Sequence, residues 1–332
     1  MKKQPRKHSG KTQKIEQLRV SQFFRFFFTK WYALLFTMFL FFHQPFHPIH
    51  AVRYEYEPPR IRQELFTLPT EVLLPTRTKN TLTKEQFTAN SIMIIDRESG
   101  AVLFEKNPDE SRYPASLTKM MTALVAIESY DPSRVVTIQE ESQAIGNTAH
   151  LQTGEQYTIS DLLKATLIPS GNDAAFALAS AYEGGYFAFV QRMNQRAKEL
   201  SMNHTTYLNV SGVEQEGHST TARDIATLAR VAMKNEVFQE IVRLKSARIV
   251  EQKSGQERTI ESTNQLLSRI EGIEGIKTGW TDQAGECLVT QTTRDGHTII
   301  TVVLASDDRF GETRTLIEWA FNAHEWKMYQ VE

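Results

Sequence analysis

A block of helical patterns separates two groups of strand-like segments in this sequence, and this order limits the folds that the chain can adopt. Two short apolar runs on either side of Glu98-Ser99-Gly100 predict a β-hairpin near residue 90. Apolar residues then recur at helical spacing over 116–130, 160–168, 172–182, 186–200 and 221–234. We therefore expect a mixed α/β (α+β) domain in which helices pack on one sheet.

Strand patterns return after Ser246. The segments "GIEGIKTGW", "GECLVTQTTR" and "HTIITVVLAS" follow "SARIVEQ" and "RTIEST", and Asp295-Gly296 joins the last two as a tight hairpin turn. A helix over 310–322 closes the pattern. The sheet is therefore expected to combine strands from both ends of the domain.

The N-terminal 51 residues have the features of an export signal. Nine Lys or Arg and one Glu lie within the first 30 residues, and a mostly apolar run of twelve residues follows from Trp31 to Phe42. A spanning helix needs about 20 apolar residues. The segment therefore predicts either a secretory signal cleaved after Ala51 or, if residues 23–28 extend the run, an uncleaved N-terminal anchor. Both place the rest of the chain outside the cytoplasm.

Residues 52–88 contain four prolines and no sustained hydrophobic period. They are predicted to be a linker, either a tether or a strip lying on the domain, and residues 89–332 are predicted to be the main folded domain. Beyond residue 30 the chain has 29 basic and 38 acidic residues, which argues against nucleic acid as a partner. The single cysteine, Cys287, excludes an intramolecular disulfide and is predicted to be a small buried residue rather than a nucleophile.

Ser116 and Lys119 lie one helical turn apart at the start of the apolar segment "YPASLTKMMTALVAIE". Serine is a favoured N-cap residue, so a capping role for Ser116 is the simplest interpretation. Positions i and i+3 also share a helix face, where an amine can remove the proton of a hydroxyl. Lys119 would then have to be neutral, which requires burial or a second cation nearby, and Lys277 is a candidate for that cation.

Lys277-Thr278-Gly279 lies in a segment with a strand pattern. A glycine in a strand allows another backbone or a ligand to approach closely, and Lys with Thr can bind a carboxylate by charge and hydrogen bond. The alternative is a solvated strand end. A third polar group, needed for proton relay, has three Ser-x-Asn candidates at Ser170, Ser201 and Ser262, of which Ser170-Gly171-Asn172 lies between two apolar helices. Asn172 or Asp173 is expected to cap the second of these helices, and Thr220 or Thr221 the helix over 221–234.

Taken in chain order, Ser116-Leu117-Thr118-Lys119, Ser170-Gly171-Asn172 and Lys277-Thr278-Gly279 resemble the three motifs of serine penicillin-recognising enzymes. The choice of Ser170 among the three serines rests mostly on this resemblance. The flanking sequence is similar, over about residues 89 to 325, to the low-molecular-mass D-alanyl-D-alanine carboxypeptidases of peptidase family S11.

The resemblance implies a role for each motif. Ser116 would be the acylated nucleophile, Lys119 its general base and Ser170 a group in proton transfer. The substrate would be bound by Asn172 at its amide, by Lys277 and Thr278 at its terminal carboxylate, and by the backbone amides of Ser116 and Trp280 in an oxyanion hole beside Gly279.

The resemblance also implies a fold, a substrate and partners. The fold is the β-lactamase/transpeptidase-like one, a mainly antiparallel five-stranded sheet flanked by helices with an all-helical lobe. The substrate is the peptidoglycan stem peptide, which loses its terminal D-Ala through an acyl-enzyme, and β-lactam antibiotics are covalent inhibitors. No cofactor or metal is expected, and any membrane attachment is expected through the N-terminus.

One stretch departs from the family pattern. Relatives often have Asn-x-His-Gly-Leu where this chain has Asn209-Val210-Ser211-Gly212-Val213, which leaves the substrate preference open. D,D-endopeptidase activity on crosslinks remains an alternative because it uses the same site. A class A β-lactamase is less well supported, since the second motif is Ser-Gly-Asn and residues 199–203 have the wrong order for a deacylating Glu-x-x-Leu-Asn element. An inactive peptidoglycan-binding scaffold is disfavoured because all three motifs are intact.

Other hydrolytic chemistries have little support in the sequence. His43, His47 and His50 have ligand-like spacing, but they lie beside the predicted cleavage point, and no His-Glu-x-x-His occurs. The remaining histidines considered for a Ser-His-Asp triad lie in no recognisable motif; these are His150, His204, His218 and His297.

Overall fold

A computed structural model of the protein describes residues 71–79, 81–140 and 146–330. The predicted signal or anchor, the first part of the predicted linker and the histidines at 43, 47 and 50 lie outside these residues. The described strands are β1 (Glu71–Arg77), β2 (Ser91–Asp96), β3 (Val102–Lys106), β4 (Val135–Thr137), β5 (Gln156–Thr158), β6 (Ser246–Val250), β7 (Glu257–Glu261), β8 (Ile273–Thr281), β9 (Gly285–Arg294), β10 (His297–Ser306) and β11 (His324–Gln330).

The helices of the described residues are concentrated in the middle of the chain. They are α1 (Thr118–Ser129), α2 (Ile159–Leu167), α3 (Asn172–Ser180), α4 (Gly185–Glu199), α5 (Ala222–Ala232), α6 (Glu236–Val242) and α7 (Arg309–Ala323). Short 3₁₀ helices occur at Lys84–Gln86, Ala115–Leu117 and Gln265–Ser268. None of the helices described here has the length and apolar character needed to cross a membrane.

A five-stranded antiparallel sheet organises the domain, with strand order β3-β2-β10-β9-β8. The first hairpin, β2 and β3, therefore pairs with strands from the end of the chain, as the sequence predicted. Asp295 and Gly296, between β9 and β10, both have positive φ (49° and 79°), which a two-residue hairpin turn of type I′ requires. The predicted fold class, with its five-stranded sheet, is confirmed.

The two faces of the sheet cover two hydrophobic cores. One core joins the sheet to the helical lobe and contains Met93 and Ile300. The other lies under α7 and contains Ile92 and Leu316. Because side chains in a strand alternate between faces, the neighbours Ile92 and Met93 belong to different cores. α1 is buried on all sides from Thr118 to Ala126, which makes it the central helix of the first core.

Several details differ from the sequence predictions. β6 and β7 pair only with each other and form a separate hairpin, and α6 was not predicted. β1, which lies within the predicted linker, pairs with β11 over seven residue pairs. This part of the linker range is therefore a strip attached to the domain.

The cap predictions were right at one position and wrong at two. Thr221 caps α5 and accepts a hydrogen bond from the Asp224 nitrogen. The N-cap of α3 is Gly171, because Asn172 already lies within the helix and Asp173 accepts hydrogen bonds from the 149–151 segment instead. The N-cap of α1 is Leu117, because the chain enters this helix through a 3₁₀ turn that contains Ser116.

Candidate active site

Ser116 lies in the tight 3₁₀ turn that leads into α1. Ala115, immediately before it, has a φ of 47°, a left-handed conformation that is uncommon for a residue with a side chain. The backbone nitrogen of Thr118 bonds to Ala115 and Ser116 carbonyls and closes the turn. Such strain persists only where the surrounding structure holds it, and here it fixes the hydroxyl of Ser116 at the mouth of a cleft.

Lys119 is fully buried one turn after Ser116. Its Nζ lies 2.9 Å from Ser116 Oγ and donates a hydrogen bond of 2.8 Å to the carbonyl of Ser211. Burial lowers the pKa of Lys119 to about 7, although the carboxylate of Asp173 opposes this shift. An amine with this pKa is substantially unprotonated at neutral pH, as a general base must be.

Ser170 and Asn172 form a wall that follows Pro169. Ser170 has a φ of 67° and is buried, and its Oγ has no hydrogen-bond partner among the described residues. Asn172 begins α3 and lines the cleft. The next residue, Asp173, holds this corner through its carboxylate, which accepts hydrogen bonds from the backbone nitrogens of Ala149 and Leu151.

β8 is an edge strand of the sheet and brings the third motif next to Ser116. A Cβ built on Gly279 would lie 3.1 Å from Ala115 Cβ and 3.2 Å from the Ser116 nitrogen, so glycine allows β8 to come this close. Lys277 and Thr278 are buried just before it, whereas the side chain of Trp280 is 59% exposed at the rim.

Both buried lysines of the site have lowered pKa values. The pKa of Lys277 is held well below its usual value, first by burial, then by the charge of Lys119 and then by Arg309. The lowered pKa of Lys119, by contrast, is caused by burial. Burial, one of the two requirements named from the sequence, is thus present at Lys119, and the contribution of Lys277, whose repulsion with Lys119 acts on both amines, stays a prediction.

We call the space between these elements the catalytic cleft. It has a volume of ≈ 350 Å³, and it is lined by the predicted residues Ser116, Asn172 and Trp280 together with Ser211, Val213 and Glu214. Lys119 lies behind Ser116, and Lys277 and Thr278 lie behind Trp280 on β8. The cleft is thus lined by residues of the first two motifs and by Trp280, which directly follows the third motif.

A loop of residues 209–214 completes the site, and sequence reasoning gave it no catalytic role. Asn209 Oδ1 accepts hydrogen bonds from the backbone nitrogens of Ser211 and Gly212, and its Nδ2 donates to the carbonyl of Val213. These bonds fix the Ser211 carbonyl that binds Lys119. The sequence did contain a clue to this loop, because Asn209 and Gly212 match the Asn and Gly of the family's Asn-x-His-Gly-Leu stretch.

Two further residues near the site were also missed. His218 is buried with its Nε2 3.0 Å from Thr118 Oγ1, and burial lowers the pKa of this histidine to about 4, which keeps it neutral. Arg309, at the start of α7, donates from Nη1 to the carbonyl of Gly279 at 2.8 Å. Neither residue belongs to a short motif, so only the fold reveals them.

The other candidate chemistries find no support in the described part of the chain. Cys287 is buried, and burial raises the pKa of its thiol to about 11, which confirms that it is a packing residue and a poor nucleophile. No group of three or more His, Cys, Asp or Glu side chains within the described residues could hold a metal ion.

Comparison with known proteins agrees with this geometry. Residues 78–308 match peptidase family S11, described as D-alanyl-D-alanine carboxypeptidase. The D-alanyl-D-alanine carboxypeptidase DacF of Bacillus subtilis is 32% identical over 246 residues, which cover 71% of this chain and 63% of DacF. The chain therefore spans less than two thirds of that relative.

Two other similar proteins are covered more completely. A D-alanyl-D-alanine endopeptidase of Pseudomonas aeruginosa is 32% identical over 69% of this chain and 74% of its own length. The crystal structure of the Streptomyces K15 DD-transpeptidase superposes with a TM-score of 0.68 at 32% identity and covers 74% of this chain and 99% of its own. The fold is thus that of the DD-peptidases predicted from the motifs, and the chain belongs to peptidase family S11, the D-alanyl-D-alanine carboxypeptidases.

Proposed function

We propose that this protein is a serine D,D-carboxypeptidase that removes the terminal D-Ala from peptidoglycan stem pentapeptides and is acylated by penicillin. The observation that carries the proposal is the contact between Ser116 Oγ and Lys119 Nζ at 2.9 Å, with burial lowering the pKa of the amine to about 7. A serine and a neutral lysine at hydrogen-bond distance form a nucleophile and its base.

Acylation begins when Lys119 takes the hydroxyl proton of Ser116 as Oγ attacks the carbonyl between the last two D-Ala residues. The carbonyl oxygen becomes an oxyanion, and the backbone amides of Ser116 and Trp280 are proposed to stabilise it. The close approach of Gly279 to the Ser116 nitrogen supports this assignment, because it brings the two backbone segments side by side.

Collapse of the tetrahedral intermediate breaks the peptide bond and forms an ester between Ser116 and the penultimate D-Ala. The leaving amine needs a proton, and Ser170 is proposed to relay it from the Lys119 ammonium. The buried Ser170 Oγ, without a partner among the described residues, suits a group that bonds in the reaction complex. Water then attacks the ester with Lys119 again as base, which releases the shortened peptide and regenerates the free serine.

Lys277 and Thr278 are proposed to bind the terminal carboxylate of the substrate. Burial makes the charged form of Lys277 unfavourable in the free protein, and an incoming anion would reverse that preference. Asn172, which lines the cleft, would bond to the substrate amide on the opposite side.

A second candidate function is D,D-endopeptidase activity on peptidoglycan crosslinks. It is supported by the similarity to the Pseudomonas endopeptidase, which is 32% identical over 74% of its own length. The chemistry at Ser116 would be the same, with a larger leaving group.

The site of action is proposed to be outside the cytoplasm. The support is the N-terminal segment of residues 1–51, whose nine Lys or Arg within the first 30 residues precede an apolar run, together with the location of the proposed substrate in the cell wall. The segment is proposed to act as a cleaved signal or as an anchor to the outer face of the membrane. Fractionation of cells that express the full chain, with immunoblotting for its size, distinguishes the two.

Covalent labelling by a fluorescent penicillin tests the nucleophile. The wild-type protein should form a stable fluorescent adduct, and Ser116→Ala should form none because the attacking oxygen is missing. Ser133→Ala is a matched control, since Ser133 lies in an exposed turn where it bonds to Asp131. Labelling that persists in Ser116→Ala would disprove the assignment.

Product analysis tests the reaction. Purified wild-type protein is incubated in parallel with a stem pentapeptide and with a crosslinked muropeptide dimer, and free D-Ala and monomer are quantified. The carboxypeptidase proposal expects faster release of D-Ala, whereas faster dimer cleavage would favour the endopeptidase.

A further inference from the structure

A second cavity lies beside the catalytic cleft, and no step of the reaction above uses it. It has a volume of ≈ 440 Å³ and its lining includes Arg112, Tyr113, His218, Ser219 and Gln283; we call it the distal cavity. Gln283 follows the cleft residues Thr281 and Asp282 in the chain, and Tyr113 lies three residues before Ser116. The two spaces therefore share the elements that carry the nucleophile and the β8 edge.

Glu214 marks the boundary between the two spaces. Its Oε1 accepts a hydrogen bond of 2.7 Å from the backbone nitrogen of Gln283, and hydrogen bonds from Thr281 and Gln283 lower the pKa of this carboxyl. On the other side, His218 lines the distal cavity and contacts Thr118, the residue next to Lys119. The distal cavity is thus adjacent to the catalytic residues.

Arg112 is the charged side chain in the lining of the distal cavity, and it is ion-paired with Glu110. Of the described side chains that line it, Arg112 carries the only permanent charge, because burial keeps His218 neutral. Its backbone is held by two hydrogen bonds of 2.8 Å to Thr220, and its Nη2 donates to Glu110. Arg112 Nε is buried without a hydrogen-bond partner among the described residues. The guanidinium is therefore anchored by its ion pair with Glu110, and its Nη1, for which no hydrogen bond occurs among the described residues, is the donor left for an anion.

The direction of the substrate leads its N-terminal part toward this cavity. In the proposed binding mode, with the terminal carboxylate at Lys277 and Thr278 and the scissile bond opposite Gly279, the donor peptide would leave Ser116 toward Thr281. Strand residues rise about 3.3 Å each, so Gln283 lies at most about 10 Å beyond Trp280. An extended peptide residue spans about 3.5 Å, so the third donor residue before the scissile bond reaches this distance.

We propose that the distal cavity is a substrate subsite in which Arg112 binds a carboxylate carried by the donor peptide upstream of the scissile bond. In a stem pentapeptide the third residue before that bond is glutamate linked through its γ-carboxyl group, so its α-carboxylate is free. The inference rests on the proposed function and adds to it a preference for stem peptides whose α-carboxylate is not amidated.

Two synthetic pentapeptides that differ in one group test the subsite. Both have the sequence L-Ala-γ-D-Glu-L-Lys-D-Ala-D-Ala, one with the free α-carboxylate on glutamate and the other with the α-carboxamide. The wild-type protein should show a kcat/KM about tenfold higher for the carboxylate peptide, mainly through KM, as expected for a charge-assisted contact. The terminal carboxylate is identical in both, so the ratio isolates the internal group.

Arg112→Gln should abolish this preference while leaving the rate of penicillin acylation and the cleavage of N-acetyl-L-Lys-D-Ala-D-Ala unchanged. Arg112→Lys, which keeps the charge but not the planar fork, should retain part of the preference. Arg248→Gln is the matched control, because Arg248 is exposed on the β6–β7 hairpin and lines neither space. Equal rates for the two peptides in the wild type, or an equal loss for all substrates in Arg112→Gln, would overturn the proposal.

Equilibrium binding separates this inference from the proposed reaction. In the Ser116→Ala background, calorimetry should show tighter binding of the carboxylate peptide than of the carboxamide, and Arg112→Gln should remove the difference. If the wild type cleaves neither peptide and the binding difference persists, the subsite stands and the proposed reaction fails. If cleavage occurs and both peptides bind alike, the reaction stands and the subsite fails.

Discussion

Lys119 shows how one residue gains its chemistry from its position rather than from its neighbours in sequence. Its side chain is completely buried, and its Nζ contacts two protein oxygens, Ser116 Oγ and the Ser211 carbonyl, in place of water. Burial disfavours the ammonium form, which is the property that the proposed base requires.

The pH dependence of acylation should report this lysine. Because the pKa of Lys119 is lowered to about 7, the amine is protonated below that pH and free above it, so the rate of penicillin acylation should rise with pH around a midpoint near 7. The measurement is the second-order rate constant for a fluorescent penicillin across pH values on both sides of 7. A flat profile through this range would contradict the role of Lys119 as base.

Asp173→Asn should move that midpoint to lower pH. Burial lowers the pKa of Lys119, and the Asp173 carboxylate raises it by a smaller amount. Removal of that negative charge should therefore lower the pKa of Lys119 further. The same rate constants measured for the variant give the shift, and thermal unfolding measures the cost of weakening its bonds to Ala149 and Leu151. A midpoint that moves to higher pH would show that Asp173 acts on another group.

Lys277 should take up a proton when a carboxylate ligand binds. In the free protein, burial and the charge of Lys119 hold the pKa of Lys277 well below its usual value. A bound anion favours the ammonium, so this pKa should rise on binding. At a pH between the free and bound values, calorimetry of a D-Ala-D-Ala peptide with Ser116→Ala protein should give heats that depend on the ionisation enthalpy of the buffer. Lys277→Arg stays charged in both states and should lose this dependence; equal heats in all buffers for the Lys277 protein would refute the prediction.

Side-chain motifs could be found from the sequence, and backbone contacts could not. Ser116, Lys119 and Lys277 stand at recognisable spacings, whereas the Ser211 carbonyl that binds Lys119 is a group that every residue carries. Only the fold brings position 211 to position 119. Burial was one of the two origins expected for a neutral Lys119, but its depth could not be predicted, because the burial of a residue near a helix start depends on the packing around it.

At the scale of elements, the contact between the 209–214 loop and the start of α1 is unusually close. Gly212 has a φ of 86°, and a Cβ at this position would lie 1.7 Å from the carbonyl oxygen of Ala115. The loop and the strained turn before Ser116 therefore fit together only because this residue has no side chain.

Gly212→Ala should lower both stability and acylation. The new Cβ would force the loop away from Ala115, which costs at least about 3 kcal/mol of unfolding free energy and displaces the Ser211 carbonyl from Lys119. Gly154→Ala is the control, because Gly154 has a similar φ of 88° with nothing within 4 Å of the built Cβ, so it adds only the strain of about 1 to 2 kcal/mol.

Denaturant unfolding and penicillin acylation rates measure the two effects. Equal losses of stability in both variants would show that the backbone conformation, not the contact with Ala115, makes the glycine necessary. An acylation rate in Gly212→Ala equal to that of the wild type would separate the loop from catalysis.

Periodicity predicted most of the long helices and the central strands, and it failed where tertiary contacts decide. α1, α4, β9 and β10 fall within a few residues of their predicted bounds. β1 was missed because its sequence, "EVLLPTR", has no alternating pattern and contains a proline. Its partner β11 directly follows α7 in the chain. The pairing of two segments about 250 residues apart is not encoded in either one alone.

At the scale of the whole molecule, the β1–β11 ribbon is attached to the main sheet away from the cleft. β8 at one edge of the main sheet carries the catalytic motif, whereas β2 and β3 lie at the other side. Trp326 of β11 connects the β1–β11 ribbon to this second side, because its Nε1 donates a hydrogen bond of 2.8 Å to Asp96 at the end of β2. Its ring stacks on His297 at 4.3 Å, at the start of β10.

Trp326→Ala should therefore weaken the fold without changing the chemistry. Loss of the stacked, half-buried ring and of its hydrogen bond should lower the unfolding free energy by about 2 to 3 kcal/mol, somewhat less than a fully buried tryptophan would cost. Trp326→Phe keeps an aromatic ring and removes only the donor, so it should lose about 1 kcal/mol. Denaturant unfolding measures both losses of stability. The penicillin acylation rate of the folded fraction should match that of the wild type, because Ser116 and β8 lie at the opposite edge of the sheet. An unchanged unfolding free energy in Trp326→Ala would show that the ribbon contributes nothing to the domain, and a lowered acylation rate would show that the two edges are coupled through the sheet.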